Sequence, residues 1–393
     1  MNAGSEGYGA APSDPASGEN GSALAGSGER APGDERDGYR AQERPVVGYV
    51  PPARDPRIRW FLDANEGRPS RAALAALAGA AASETARRYP RTAELEAVIA
   101  SRPKAGYEPL PPSRVLVTAG GDDAIARACR VFLKPGSSLV VFEPAFEMYA
   151  IGARLSGARV VGVPWPPGEP FPLAAAIGTA RACRAAAVAL VSPANPAGGL
   201  ASPEETTELL DALPETSVWV DGAYADFSRA DPMAAALSRP NGLALRSFSK
   251  TYGLAGLRVG WAAGSPETIA ALRAAGDPFP VAGPSLAAAL AARSPEGEAE
   301  TARIVDRLVR EREALYGLLK RLGARPYPSE TNFVLARVRD PGGLKEALAA
   351  RGIAIRAYPG RPGLESMIRI SGPADREGFG ELARALRACK EYL

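Results

Sequence analysis

The chain has 393 residues, 46% hydrophobic and 23% charged, a soluble composition that is long for one core and points to two domains. Net charge is +3 with no basic block, which gives nucleic acid binding no support. There is no histidine, so His-dependent triads and His-ligated zinc are excluded and proton transfer falls to Lys, Tyr, Asp, Glu or Cys.

Three scattered cysteines, Cys129, Cys183 and Cys389, read as buried thiols rather than a disulfide framework or a metal site. No apolar run reaches the length of a membrane span, and the N-terminus lacks the basic and apolar regions of a secretory signal, so a cytoplasmic enzyme is expected. Residues 1–44 are rich in Gly, Ala, Ser, Pro and Glu and predict a disordered tail. An arm over residues 45–75 follows. Within it, Val46 to Pro52 is apolar and extended, and Ile58 to Gly67 is a short strand running into a turn; Tyr49 and Asn65 lie in these two segments.

Ser70 caps an Ala/Leu-rich helix to Ala82, and Arg87-Arg88-Tyr89-Pro90 precedes a second helix from Thr92 to about Ser101. Val115 to Thr118 is a strand. Ala119-Gly120-Gly121-Asp122-Asp123 then opens a helix to Leu133, a start that suits a phosphate or forms a plain βα turn. Strands at Ser138–Phe142, Ala158–Val163 and Ala186–Val191 alternate with helices and are continuously apolar, as in a parallel sheet covered on both faces. Phe146 follows the first of these, and the turn Ser192-Pro193-Ala194-Asn195-Pro196-Ala197-Gly198-Gly199 follows the third. Ser202, Pro203 and Glu205 start the next helix.

The strand Ser217–Val220 ends in Asp221, with Tyr224 three residues on. A carboxylate there is costly unless paired, and helix capping is its bland alternative. After a further strand comes Ser247-Phe248-Ser249-Lys250-Thr251-Tyr252-Gly253-Leu254-Ala255-Gly256-Leu257-Arg258-Val259-Gly260. A partly desolvated lysine amine is nucleophilic, while hydroxyls and an arginine suit a phosphate. Ser285 to Ala324 reads as one long helical segment. The C-terminal part reads as βαβ-like, with strands at Tyr327–Ala336, Ile353–Arg356 and Ser366–Ser371, the last an alternating strand at a sheet edge.

The motif Ser-x-Ser-Lys-x-x-Gly-x-x-Gly-x-Arg-x-Gly resembles the lysine segment of fold-type I pyridoxal-phosphate (PLP) aminotransferases, most closely the histidinol-phosphate aminotransferase branch. The resemblance runs from about Pro45 to the C-terminus. It implies an α/β fold, with a large PLP-binding domain over residues 76–280 built on a mainly parallel sheet, and a smaller α/β domain over 281–393. It implies Lys250 as the Schiff-base lysine, Asp221 on the pyridine nitrogen, Tyr224 and Asn195 on the phenolic oxygen, and Phe146 stacked on the ring. Gly120, Gly121, Asp122, Ser247, Ser249 and Arg258 surround the phosphate, joined by Tyr89 across a homodimer interface. Arg369 clamps the acidic end of the substrate, with Arg356 second to it, and Tyr49 and Asn65 lie near the substrate.

The turn at Ser192 departs from the family's Asn-Pro-x-Asn-Pro-x-Gly, which weakens its support. The implied reaction is transamination between an amino acid or amino-alcohol phosphate and a 2-oxo acid. A threonine-phosphate type decarboxylase, a cyclase or eliminase of specialised metabolism, and a non-catalytic PLP-binding regulator are the alternatives.

Overall fold

Strands between residues 115 and 263 are apolar at successive positions, and they assemble as that pattern requires. In the computed structural model, which describes residues 55–80, 83–101 and 108–393, β1 (Trp60–Phe61) stands apart from them. β2 (Val115–Thr118), β3 (Ser138–Glu143), β4 (Arg159–Pro164), β5 (Ala187–Val191), β6 (Ser217–Asp221), β7 (Gly242–Ser247) and β8 (Gly260–Ala263) form one seven-stranded sheet. Its order is β2-β8-β7-β6-β5-β3-β4. The five strands from β7 to β4 are parallel, and β8 is antiparallel to both neighbours.

Alternate residues of these strands enter two different cores. Val140, Phe142, Val218 and Val220 pack with helix Pro203–Ala212, while Leu139, Val141, Trp219 and Leu243 pack with helix Gly121–Phe132. Burying each such side chain contributes about 1.5–3 kcal/mol, so both faces hold the sheet rigid. The register sets Val191 beside Asp221 and Asp221 beside Leu245. The segments leaving β5, β6 and β7 therefore meet at one end of the sheet, where ligands bind in such folds.

The C-terminal strands are β9 (Arg325–Pro326), β10 (Phe333–Arg337), β11 (Ile353–Ala354), β12 (Arg356–Ala357) and β13 (Met367–Ser371). They correct the βαβ-like expectation. The sheet β12-β13-β10-β9 is antiparallel, and β11 leaves it to pair in parallel with β1. The strand expected over Ile353–Arg356 is thus divided between two sheets, and the one expected from Tyr327 begins only at Phe333. Between them Ser329 Oγ accepts from the Thr331 N–H at 3.2 Å, a local turn that competes with the ladder. β13 is an interior strand, not an edge. Ile368 and Ile370 face a core with Leu315 and Leu319, whereas Arg369 points the other way.

The single helical segment expected from Ser285 is two helices, Gly283–Ala292 and Pro295–Leu322. Ser294 Oγ accepts from Gly297 N–H at 3.1 Å with Pro295 at the first position, which starts a new helix. Ser70 caps Arg71–Gly79 as expected, accepting from Ala73 N–H at 3.2 Å. The short helix Ser83–Arg87 was not foreseen. Tyr49, the expected tail and the first part of the arm, residues 45–54, lie outside the described residues. No helix among the described residues is long and apolar enough to cross a membrane. Cys129 and Cys389 are buried and Cys183 is half-buried, and none is in a disulfide.

Candidate active site

A cavity of about 690 Å³ opens where β5, β6 and β7 end. Lys250 reaches it from the loop after β7. Phe248, fully buried and stacked on Tyr252 at 4.7 Å, anchors that loop. The Lys250 amine donates to the Ala64 carbonyl at 2.8 Å. Burial, and then the Arg369 guanidinium, lower its pKa to about 8, which makes neutral amine accessible near physiological pH.

Asp221 sits at the cavity floor. Its Oδ1 accepts from Ala223 N–H at 2.9 Å and its Oδ2 from the Tyr149 hydroxyl at 2.9 Å. Burial nevertheless pushes its pKa up, against those bonds. A cation beside Asp221 would hold it ionised. Tyr224 is buried, with its hydroxyl accepting from Asn65 Nδ2 at 2.9 Å, and desolvation raises its pKa to about 12. Asn65 takes φ of +55°, a left-handed turn that an asparagine tolerates. Its Oδ1 accepts from Ser371 Oγ at 2.9 Å, so one buried amide ties the turn after β1 to Tyr224 and to β13.

The lysine loop and the helix that begins at Gly121 close one end. Gly120 has φ of +82°, and a Cβ there would lie 2.6 Å from Arg258 Nη2. Gly260 passes so close to Gly120 that a Cβ would run into its carbonyl carbon. Ser247 Oγ accepts from Ser249 N–H at 3.0 Å. Arg258, itself left-handed at φ +52°, donates to Asp122 Oδ2 at 2.9 Å and lies 3.5 Å from Ser249 Oγ. This end therefore gathers hydroxyls, a guanidinium and a helix N-terminus, an arrangement suited to a phosphate.

Arg369 is buried at the other end. It donates to Asn195 Oδ1 at 2.6 Å and to the Asp63 carbonyl at 2.7 Å, and stands 5.1 Å over the Phe333 ring. It has no carboxylate partner among the described residues. The Asn195 turn is held despite its departure from the family pattern. Buried Ser192 donates from Oγ to the Ala201 carbonyl at 3.2 Å and accepts from Ala201 N–H at 3.0 Å. The expected weakening at Ser192 is thus offset.

The cavity wall includes Asn65, Gly121, Asp122, Phe146, Asn195, Asp221, Tyr224, Ser247, Ser249, Lys250, Arg258, Arg356 and Arg369. Gly120 backs that wall through Arg258. Tyr89 is not brought to it; the residue is 77% exposed and stacks on Phe279 at 4.5 Å. Three residues escaped the sequence reading. Tyr149, three positions after Phe146, lies one helical turn behind the cavity and signals only through that spacing. Tyr358 and Arg361 also line the wall, from a loop whose Pro/Gly content marks a turn but no chemistry.

The family described as aminotransferase class I and II matches residues 61–386. A histidinol-phosphate aminotransferase of Roseiflexus castenholzii is 38% identical over 327 residues, 79% of this chain and 84% of that protein. One of Ruegeria pomeroyi is 36% identical, covering 85% and 91%. Among solved structures, the Sinorhizobium meliloti histidinol-phosphate aminotransferase in complex with pyridoxal-5'-phosphate superposes with a TM-score of 0.76 at 26% identity, over 85% of this chain and 91% of that one. By these matches the chain belongs to the class I and II aminotransferases, in their histidinol-phosphate aminotransferase branch.

Proposed function

We propose that the protein transfers an amino group between an amino acid or amino-alcohol phosphate, of histidinol-phosphate or aromatic type, and a 2-oxo acid, with PLP as cofactor. The observation that carries this reading is the pairing within one cavity of a lysine amine depressed to about pKa 8 with a buried carboxyl whose pKa is raised. PLP fits those residues. A phosphate suits the end formed by Gly121, Ser247, Ser249 and Arg258, and a protonated ring nitrogen relieves the desolvated Asp221. When bound, PLP supplies an amine-reactive aldehyde and a ring that accepts electron density from the substrate Cα.

The chain's own residues do the rest. Asp221 holds the proton on the ring nitrogen, and Tyr149 orients the Asp221 carboxylate through its hydroxyl. Asn195 has its Oδ1 engaged by Arg369, which leaves Nδ2 to donate to the phenolic oxygen. Tyr224 has its oxygen engaged by Asn65 and can donate its own proton to the same atom. Phe146 offers an aromatic face to the ring. Lys250 Nζ would take the proton from the substrate Cα and return it to the carbon on the other side of the transferred nitrogen. Arg369 meets the anionic end of the substrate, because a buried guanidinium without a carboxylate is costly until an anion joins it.

A homodimer with Tyr89 and Tyr49 serving the neighbouring site, a cytoplasmic location, and a division into large and small domains near residue 280 belong to the same proposal. The exposed Tyr89–Phe279 pair supports the dimer. The experiment is steady-state turnover of a panel of amino donors with 2-oxoglutarate, with CO₂ release measured alongside. The reading predicts keto-product formation without CO₂; stoichiometric CO₂ would replace it with decarboxylation.

A further inference from the structure

Beyond Arg369, the substrate end of the cavity holds a group that the pairing of the other side chains leaves over. Tyr358 is only 5% exposed, lines the cavity, and has a buried hydroxyl with no hydrogen-bond partner among the described residues. A lone buried hydroxyl is destabilising and calls for a partner. Around it stand Arg369, whose buried Nε also has no partner among the described residues, and Arg356, whose guanidinium lies 5.9 Å from the Tyr358 ring. Neither arginine has a carboxylate partner among the described residues. The third neighbour, Arg361, lies 5.8 Å from the ring and is neutralised: it donates to Glu147 Oε1 at 2.8 Å and to the Ala145 carbonyl. That pair fastens the Tyr358 loop to the helix that starts beside Phe146. The ring itself packs with Tyr327, Leu335, Leu364 and Met367, so the hydroxyl is held at a fixed point.

We propose that Tyr358 is a specificity-determining residue whose hydroxyl donates a hydrogen bond to the anionic end of the amino donor, presented by a loop that the Arg361–Glu147 pair fixes. This rests on the aminotransferase reading for the identity of the ligand, but not for the existence of an anion subsite. Burial raises the Tyr358 pKa, so the hydroxyl stays protonated and able to donate. A phosphate monoester and a carboxylate share the chemistry required; the first offers more acceptor positions to two guanidiniums and a hydroxyl.

The test is calorimetric binding of inorganic phosphate and of glutarate to the PLP-loaded enzyme, with Tyr358→Phe beside the native chain. The ring stays and only the hydroxyl goes. Affinity for at least one anion should fall about tenfold, the usual worth of one hydrogen bond to a charged group. Thermal stability should hold or rise, because an unpartnered buried hydroxyl has been removed. The anion losing more affinity identifies the end group. Unchanged affinity for both anions overturns the proposal, as does loss of affinity accompanied by lower stability and PLP content, the mark of a packing role. Because binding needs no turnover, it can succeed where the donor panel fails, and the converse.

Discussion

At the scale of single residues, the site depends on two ionisable groups whose surroundings push their pKa values in opposite directions, Lys250 down and Asp221 up. For Lys250 the sign is direct. The neutral amine is the nucleophile, so the rate at which the apoenzyme captures PLP should rise with pH through about 8 and then level. Arg369 contributes to that depression, so Arg369→Gln should move the profile to higher pH; stopped-flow absorbance read across pH checks both statements. Asp221→Asn keeps the shape and removes the charge. Its kcat should fall on the order of 10²-fold or more while PLP remains bound, as for removal of a main electrostatic stabiliser. Single-turnover rates at the native level would return Asp221 to a capping role. Lys250, Asp221, Asn195 and Arg258 were legible because each sits at a fixed place in a motif. Tyr149 was not, since its bond to Asp221 spans 72 residues and local spacing does not encode such a contact.

At the scale of elements, the parallel strands and their helices were legible from continuous apolar runs and from caps such as Ser202-Pro203-Glu205, where both halves of the capping box form. The C-terminal strands were misread because a two-residue strand has no periodicity to read, and because strand partners are chosen by tertiary packing. Ile353 pairs with Trp60 from the opposite end of the described chain, far beyond the reach of local pattern. At Gly260, β8 passes close against the turn before helix Gly121–Phe132, glycine against glycine. Gly260→Ala should push β8 off that turn and displace Arg258. The measurement is the PLP dissociation rate, expected to rise at least tenfold at the ~2 kcal/mol scale of overpacking. Gly256→Ala, on the loop leading into β8 and with open space around its Cβ, should leave that rate unchanged.

At the scale of the whole molecule, the cavity is closed by parts far apart in sequence: Ala64 and Asn65 from the turn after β1, Lys250 from the large sheet, and Arg369 from the small one. That convergence was expected from family resemblance rather than from pattern, and pattern alone would have left Arg369 on an exposed edge. Tyr89 stays outside the cavity of its own chain, so a heterodimer of Lys250→Ala and Tyr89→Phe chains should regain one site free of both lesions. Activity that never exceeds either parent would count against shared sites. The central claim is that Lys250 carries PLP through an amino-transfer cycle, and one measurement meets it directly. The holoenzyme is reduced with borohydride before and after exposure to an amino donor, and again after a 2-oxo acid, with the modified peptide identified by mass spectrometry. A phosphopyridoxyl group is expected on Lys250 at first, with its loss after the donor and its return after the oxo acid. A reducible adduct on another residue, or one on Lys250 that the donor never removes, would contradict it.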